Sequence, residues 1–262
     1  MDKEEIIKEM EMDYDQLVQY LLNKYGGSKY DYFVNESCKT KNKKVTRSNE
    51  GLLCHHIDED KGYSLCSPVA AQCFSFEYQK KERLVYCNYI EHLLLHILIG
   101  KNSYWKRRST LESTTAFNLF ITPGMGYICS DINNLFEQNG SSLKWKQRCY
   151  QEIKDNFDDY IFILNSFIEY LFNNYTGKKP LKVGQKVKNK ALGYGVITKI
   201  DGKKPDSKIV IEYDNCVKVV QRINAEPRTA FYYTEIDRMK RTLSSISHTE
   251  SNQTVYDRLL DF

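Results

Sequence analysis

Nowhere do the 262 residues contain an unbroken run of 18 apolar side chains, so no segment has the composition of a membrane-spanning helix. The opening stretch MDKEEIIKEMEMDYD has seven acids and two bases, and it lacks the apolar centre of a secretory leader. None of the eight cysteines stands in a CxxC pair, which removes the spacing of the common zinc and dithiol motifs. With no export signal in view, the expectation is a cytoplasmic protein with reduced thiols, most of them small core residues. Histidine is scarce, with five in the whole chain. What is present is enough apolar material for a packed interior: 41% of residues are hydrophobic and 13% are aromatic. The length suits one large domain or two smaller ones.

The net charge of +4 is unevenly spread. Residues 178–222 hold twelve bases and four acids, a local +8, which leaves the rest of the chain at −4. The stretch CKTKNKKVTR, residues 38–47, adds five bases and no acid. Two basic zones on a near-balanced chain point to a polyanionic partner. Lys43, Lys44, Arg47, Lys186, Lys188 and Lys190 are the residues expected to meet it, with solvated loops as the plainer reading.

Apolar spacing predicts a helix over residues 14–25 that stops at the Gly26-Gly27 pair. GLLCHHI (51–57) and RLVYC (83–87) read as short strands. NYIEHLLLHILIG (88–100) reads as a helix ending at Gly100, and TPGMG (122–126) as a loop. Residues 143–173 look helical. After TGKKP at 176–180 the character changes to short strand-like runs separated by turns, which places a domain boundary near 176. The polar stretch 244–262 reads as a tail in which Leu259, Leu260 and Phe262 have the means to dock.

Four of the five histidines fall in two pairs. His92 and His96 stand four apart on the predicted helix, so both imidazoles share one face and can share one metal ion. His55 and His56 are adjacent on a predicted strand. Neighbours on a regular strand point to opposite faces, so a common site for this pair calls for a strand end, a bulge or a strong twist. Asp58, Glu59, Asp60 and Glu91 are the nearby acids. Of these, Glu91 is the expected partner that would orient His55 or His56.

GLLCHHIDED, followed by ERLVYCNYIEHLLLH, resembles the HNH, or ββα-metal, nuclease superfamily, most closely its members with an HH…HxxxH pattern, including the DNase domains of bacterial colicins. The likeness covers residues 51–100. It implies that His56 is the general base and that His55, His92 and His96 bind one divalent ion. Mg2+ or Mn2+ would serve activity, and Zn2+ or Ni2+ could also occupy the site. The Asn usual before the second strand is replaced by Arg83, which the resemblance leaves to contact a phosphate, with Asn88 as the other residue able to fill that place.

Within the expected domain 177–243, KVGQKVKNKALGYGVITKI (182–200) followed by KIVIEYD weakly resembles small SH3-like or Tudor-like barrels, with Gly193 and Gly195 in the bent strand and Tyr194, Tyr213, Phe231, Tyr232 and Tyr233 as stacking or core aromatics. The expected architecture is therefore α+β: a ββα-metal nuclease core inside a helical domain, 1–176, followed by a small antiparallel SH3-like β-barrel. The expected function is metal-dependent cleavage of double-stranded DNA to 5′-phosphate and 3′-hydroxyl ends, in restriction or phage defence. A homodimer is left open and no membrane is involved. The alternatives are an RNase using the same site, or a non-enzymatic nucleic-acid-binding protein with a structural zinc.

Overall fold

The computed structural model describes residues 1–106, 122–140, 143–176, 181–202, 206–225, 240–241, 243–244 and 255–259. It is an α+β chain with two compact units, one of residues 1–163 with 242–258, the other of residues 164–241 with 259–262. The division falls inside a helix, upstream of the expected boundary at 176. Part of the expected C-terminal tail returns to the first unit. Phe231, Tyr232, Tyr233, Leu260 and Phe262 lie outside the described residues, while Leu259 is buried.

Helix α1 (Lys3–Glu11) starts at Asp2, whose side chain accepts from the Glu5 amide. Helix α2 (Tyr14–Tyr25) starts at Asp13 with a reciprocal Asp13–Gln16 capping box and ends at Gly26, whose φ of 74° suits glycine. Ile6, Leu17, Val18 and Leu21 form their buried faces.

Strands β1 (Leu53–His56) and β2 (Leu84–Cys87) pair antiparallel, Leu53 opposite Cys87 and His56 opposite Leu84. A short helix, α3 (Pro68–Ala71), lies in the connection. β2 is buried along its whole length and runs straight into helix α4 (Tyr89–Lys106). Asn88 closes that junction. Its side chain accepts from the amides of Ile90 and Glu91, and Glu91 accepts from the Asn88 amide at 2.7 Å. Tyr89, Ile90, Leu93, Leu94, Leu95, Ile97, Leu98 and Ile99 are all buried, so α4 is the helix around which the unit packs. α4 continues through Gly100, where the sequence predicted an end. A glycine inside a helix costs only about 1 kcal/mol, and burial of this many apolar neighbours offsets that.

The expected loop at 122–126 is the first turn of helix α5 (Thr122–Glu137). Pro123 fits there because the first turn of a helix has no intrahelical use for its N–H groups. The helical stretch expected at 143–173 is two helices, α6 (Lys144–Ile153) and α7 (Phe157–Thr176).

In the second unit, β3 (Lys186–Asn189), β4 (Gly193–Ile200), β5 (Lys208–Tyr213) and β6 (Cys216–Gln221) form an antiparallel meander in that order. The short helix α8 (Arg222–Ala225) follows. Ile197, Ile209 and Ile211 make the core, with Leu181, Val187 and Val220 packed against it. Among the described residues the sheet order is β3-β4-β5-β6, with no pairing of β3 to β6, and closure into a barrel is not shown.

Candidate metal centre

Three imidazoles come together at the junction of β1 and α4. His92 and His96 stand one turn apart on α4, and β1 brings His55 against them. Ring centroids are 5.2 Å apart for His55–His92 and for His55–His96, and 4.9 Å for His92–His96. One nitrogen from each lies within 4.8 Å of the other two, close enough to hold a metal ion.

Hydrogen bonding sets the tautomer of His55. The Tyr14 hydroxyl has one proton and donates it to the carbonyl of Ile57 at 2.9 Å. It therefore accepts from His55 Nε2 at 3.0 Å, so that nitrogen carries the proton and Nδ1 keeps a lone pair. His55 Nδ1 is buried without a hydrogen-bond partner, as is His92 Nδ1. Buried polar atoms seldom go unpaired, and a cation is what a lone pair in this position accepts. Burial pushes the His55 imidazole down to about 3 and holds His92 well below the ordinary imidazole range, with neighbouring histidines adding to both effects. Both rings are neutral at pH 7, the form that ligates a metal.

His56 points to the other face of β1. Its ring stacks at a tilt 4.3 Å from that of Tyr32, and its Nε2 lies 2.8 Å from Gln79 Oε1. Gln79 donates its own amide N–H to the Leu65 carbonyl, which turns Oε1 toward the imidazole. His56 thus also carries its proton on Nε2 and leaves Nδ1 bare, buried and unpartnered. Burial lowers its pKa. The backbone here is regular: His56 pairs with Leu84, and the Ile57 amide still bonds the Arg83 carbonyl. The irregular backbone expected for a site shared by the pair is therefore not found: β1 stays regular, so its two neighbouring histidines project to opposite faces. Glu59 on the turn just after β1 reaches both, at 3.8 Å from His55 Nδ1 and 4.0 Å from His56 Nδ1. It also lies 3.1 Å from His96 Nε2. Burial opposes ionisation of Glu59, but the hydrogen bond with His96 favours it, and the carboxyl is held well below its usual range.

Two other expected site residues stand elsewhere. Arg83 forks onto Asp58, Nε to Oδ2 at 2.5 Å and Nη2 to Oδ1, and thereby clamps the turn that carries Glu59. Glu91 faces away from the imidazoles, bonded by Lys24 Nζ at 2.7 Å, Tyr25 Oη at 3.0 Å and the Asn88 amide. Asn88 is the cap of α4. Gly124 on α5 has a role that the sequence did not reveal, since a Cβ there would stand 2.6 Å from His96 Nδ1. Only glycine lets α5 lie this close to the ring.

The cluster opens to solvent. A cavity of about 190 Å3 is lined by Glu59, His92, His96, Cys54, Cys66 and Gly124. His92 also lines a larger cleft of about 780 Å3, whose walls include Lys41, Lys43, Arg47, Tyr127 and Trp145. Lys43 faces that cleft, whereas Arg47 is tied to Glu50 and to the Tyr25 carbonyl, and Lys44 lies over the Tyr30 ring. In the second unit Lys186, Lys188 and Lys190 are exposed, with Lys188 Nζ 5.4 Å from the Tyr194 ring centre. All eight cysteines are free.

Comparison of the chain with protein-family models, with curated proteins and with solved structures gives no match. Among the described residues no helix is long and apolar enough to cross a membrane.

Proposed function

We propose that the chain is a metal-dependent endonuclease that hydrolyses DNA phosphodiesters to 5′-phosphate and 3′-hydroxyl ends, as its resemblance to HH…HxxxH ββα-metal nucleases implies. The observation that carries this reading is the pairing of three converging imidazoles with a fourth, His56, whose unpartnered Nδ1 lies 4.0 Å from the same Glu59 carboxylate that contacts His96. His55, His92 and His96 would hold the ion, with Mg2+ or Mn2+ serving activity. When bound, it supplies a positive charge against the charge that develops on the phosphate and the departing oxygen. His56 accepts a proton from the attacking water at Nδ1, while Gln79 fixes the ring through Nε2. Tyr14 holds His55 in its ligating tautomer. The basic residues bordering the cleft and the lysines of β3 oppose the phosphate backbone. Restriction or phage defence is the cellular role we assign, with a cytoplasmic location.

Plasmid nicking assayed with a metal series and an EDTA control tests the reading. His56→Ala should lose cleavage yet bind metal like the parent. Metal loss in that variant, measured by elemental analysis, would make His56 a ligand instead of the base. A second reading, a nucleic-acid-binding protein with a structural zinc, is favoured by one observation: the Glu59 carboxylate stands where it could complete a closed tetrahedral site. In that case neither the parent nor any metal-loaded form nicks the plasmid.

A further inference from the structure

We infer that Glu59 is a fourth protein ligand of the ion, a proposal that rests on the metal-binding reading of the three histidines. The argument is a count of lone pairs. His55 Nδ1 has no proton, because Tyr14 fixes the proton on Nε2. That lone pair lies 3.8 Å from the Glu59 carboxylate, which is itself an acceptor. A hydrogen bond from His96 would explain the 3.1 Å contact alone. It would not explain why the bare Nδ1 of His55 meets the same carboxylate with no donor between them. A cation resolves that arrangement.

Two distances, those from Glu59 to His96 and to His55, fit a shared ion. With metal–ligand bonds of about 2.1 Å, adjacent ligands lie about 3.0 Å apart around an octahedral ion and about 3.4 Å apart around a tetrahedral one. Glu59 Oε2 lies 3.1 Å from His96 Nε2 and 3.8 Å from His55 Nδ1, on either side of the tetrahedral value. The carboxylate is held in place by its turn. Asp58 beside it is buried and clamped by Arg83 and by Lys61 at 2.6 Å. The residue is only 15% exposed and lines the small cavity together with His92 and His96.

The consequence is selectivity. A carboxylate oxygen is a hard donor, so Glu59 favours Mn2+ or Mg2+ over what three imidazoles alone would prefer. Around a six-coordinate ion, four protein ligands leave two positions for water and a phosphate oxygen. Around a tetrahedral ion, the same four ligands leave none.

Titration calorimetry of the full chain with MnCl2 and with ZnCl2, for the parent, Glu59→Gln, Glu59→Ala and His92→Ala, is the test, with circular dichroism melts to show that each variant is folded. Glu59→Gln should weaken Mn2+ binding by about 10-fold or more, and Zn2+ binding by less. The visible absorption of the Co2+-loaded protein should change in both Glu59 variants, because an oxygen donor is replaced. Equal affinities and superimposable Co2+ spectra for parent and Glu59→Gln, with His92→Ala impaired, would remove Glu59 from the ligand set and leave the three-histidine site standing. Absence of metal binding by the folded parent would overturn both.

Discussion

At the scale of single residues, the candidate centre depends on side chains that hold other side chains. Tyr14 is one. Its hydroxyl fixes the proton of His55, and it spans 41 positions of sequence to do so. Tyr14→Phe keeps the ring and removes that control. The His55 Nε2–H and the Ile57 carbonyl then both lose a buried partner, which should cost about 1–3 kcal/mol of stability, read as a fall in Tm. Metal affinity should fall by about 10-fold by titration, because the ring becomes free to turn or change tautomer. An unchanged affinity would mean that packing alone orients His55. The histidines themselves were legible in the sequence, since an i, i+4 pair on a helix is a local geometry that spacing encodes. Tyr14 and Gln79 were not, because their bonds to His55 and His56 join positions 41 and 23 residues apart and no periodicity carries them. Glu59 was visible only as one of several acids, and Glu91 drew attention by its closeness to His92. Neighbours on a helix project about 100° apart, which is why Glu91 faces Lys24 and not the imidazoles.

At the scale of elements, that same lysine joins three helices. Lys24 on α2 meets Glu5 of α1 at 2.5 Å, Glu91 of α4 at 2.7 Å and Glu9 of α1 at 3.8 Å. Lys24→Met should destabilise the fold by about 3–5 kcal/mol, measured by denaturant melts, because it leaves buried carboxylates without their cation. Glu9 is fully buried and neither of its oxygens has a hydrogen-bond partner. Burial, with Glu91 adding to it, pushes its pKa up to about 8. The sign follows from proton counting: between the ordinary value of 4.5 and 8 the folded chain keeps a proton that the unfolded chain has released. The contribution of Glu9 to stability is therefore complete below pH 4.5 and is lost as pH rises toward 8. Glu9→Gln should flatten the decline in Tm between pH 5 and pH 8 and raise Tm at the upper end, while an unchanged profile would show that Glu9 does not titrate in that window. None of this network could be read from the sequence. The helices were legible as α2 and α4 because their apolar spacing is local. The first turn of α5 was missed because Pro123 and Gly124 carry the composition of a loop, and only the nearness of His96 explains the glycine.

At the scale of the whole molecule, charge divides the chain more sharply than fold does, with +8 on residues 178–222 and −4 on the rest. If that excess grips a nucleic-acid backbone, binding must weaken steeply with salt, since each neutralised phosphate releases counterions. Cutting the chain at 178 is a poor way to ask. It would also remove Leu243, whose carbonyl accepts from Asn133, and Arg258, which pairs with Asp158 at 2.8 Å, both contacts within the first unit. Neutralising Lys186, Lys188 and Lys190 to Gln is cleaner. All three are exposed, and the core of their sheet is Ile197, Ile209 and Ile211, so the fold should persist. On duplex DNA the slope of log affinity against log salt should fall by about 0.9 for each lysine that meets a phosphate, up to about 2.7 for three. Single-turnover cleavage at saturating DNA should be nearly preserved, because His55, His56, His92 and His96 all lie in the first unit. An unchanged slope would leave these lysines as a solvated edge. The exposed side chains of Tyr194, Val217 and Val219 on the same sheet would then make docking to another protein the better account of the module.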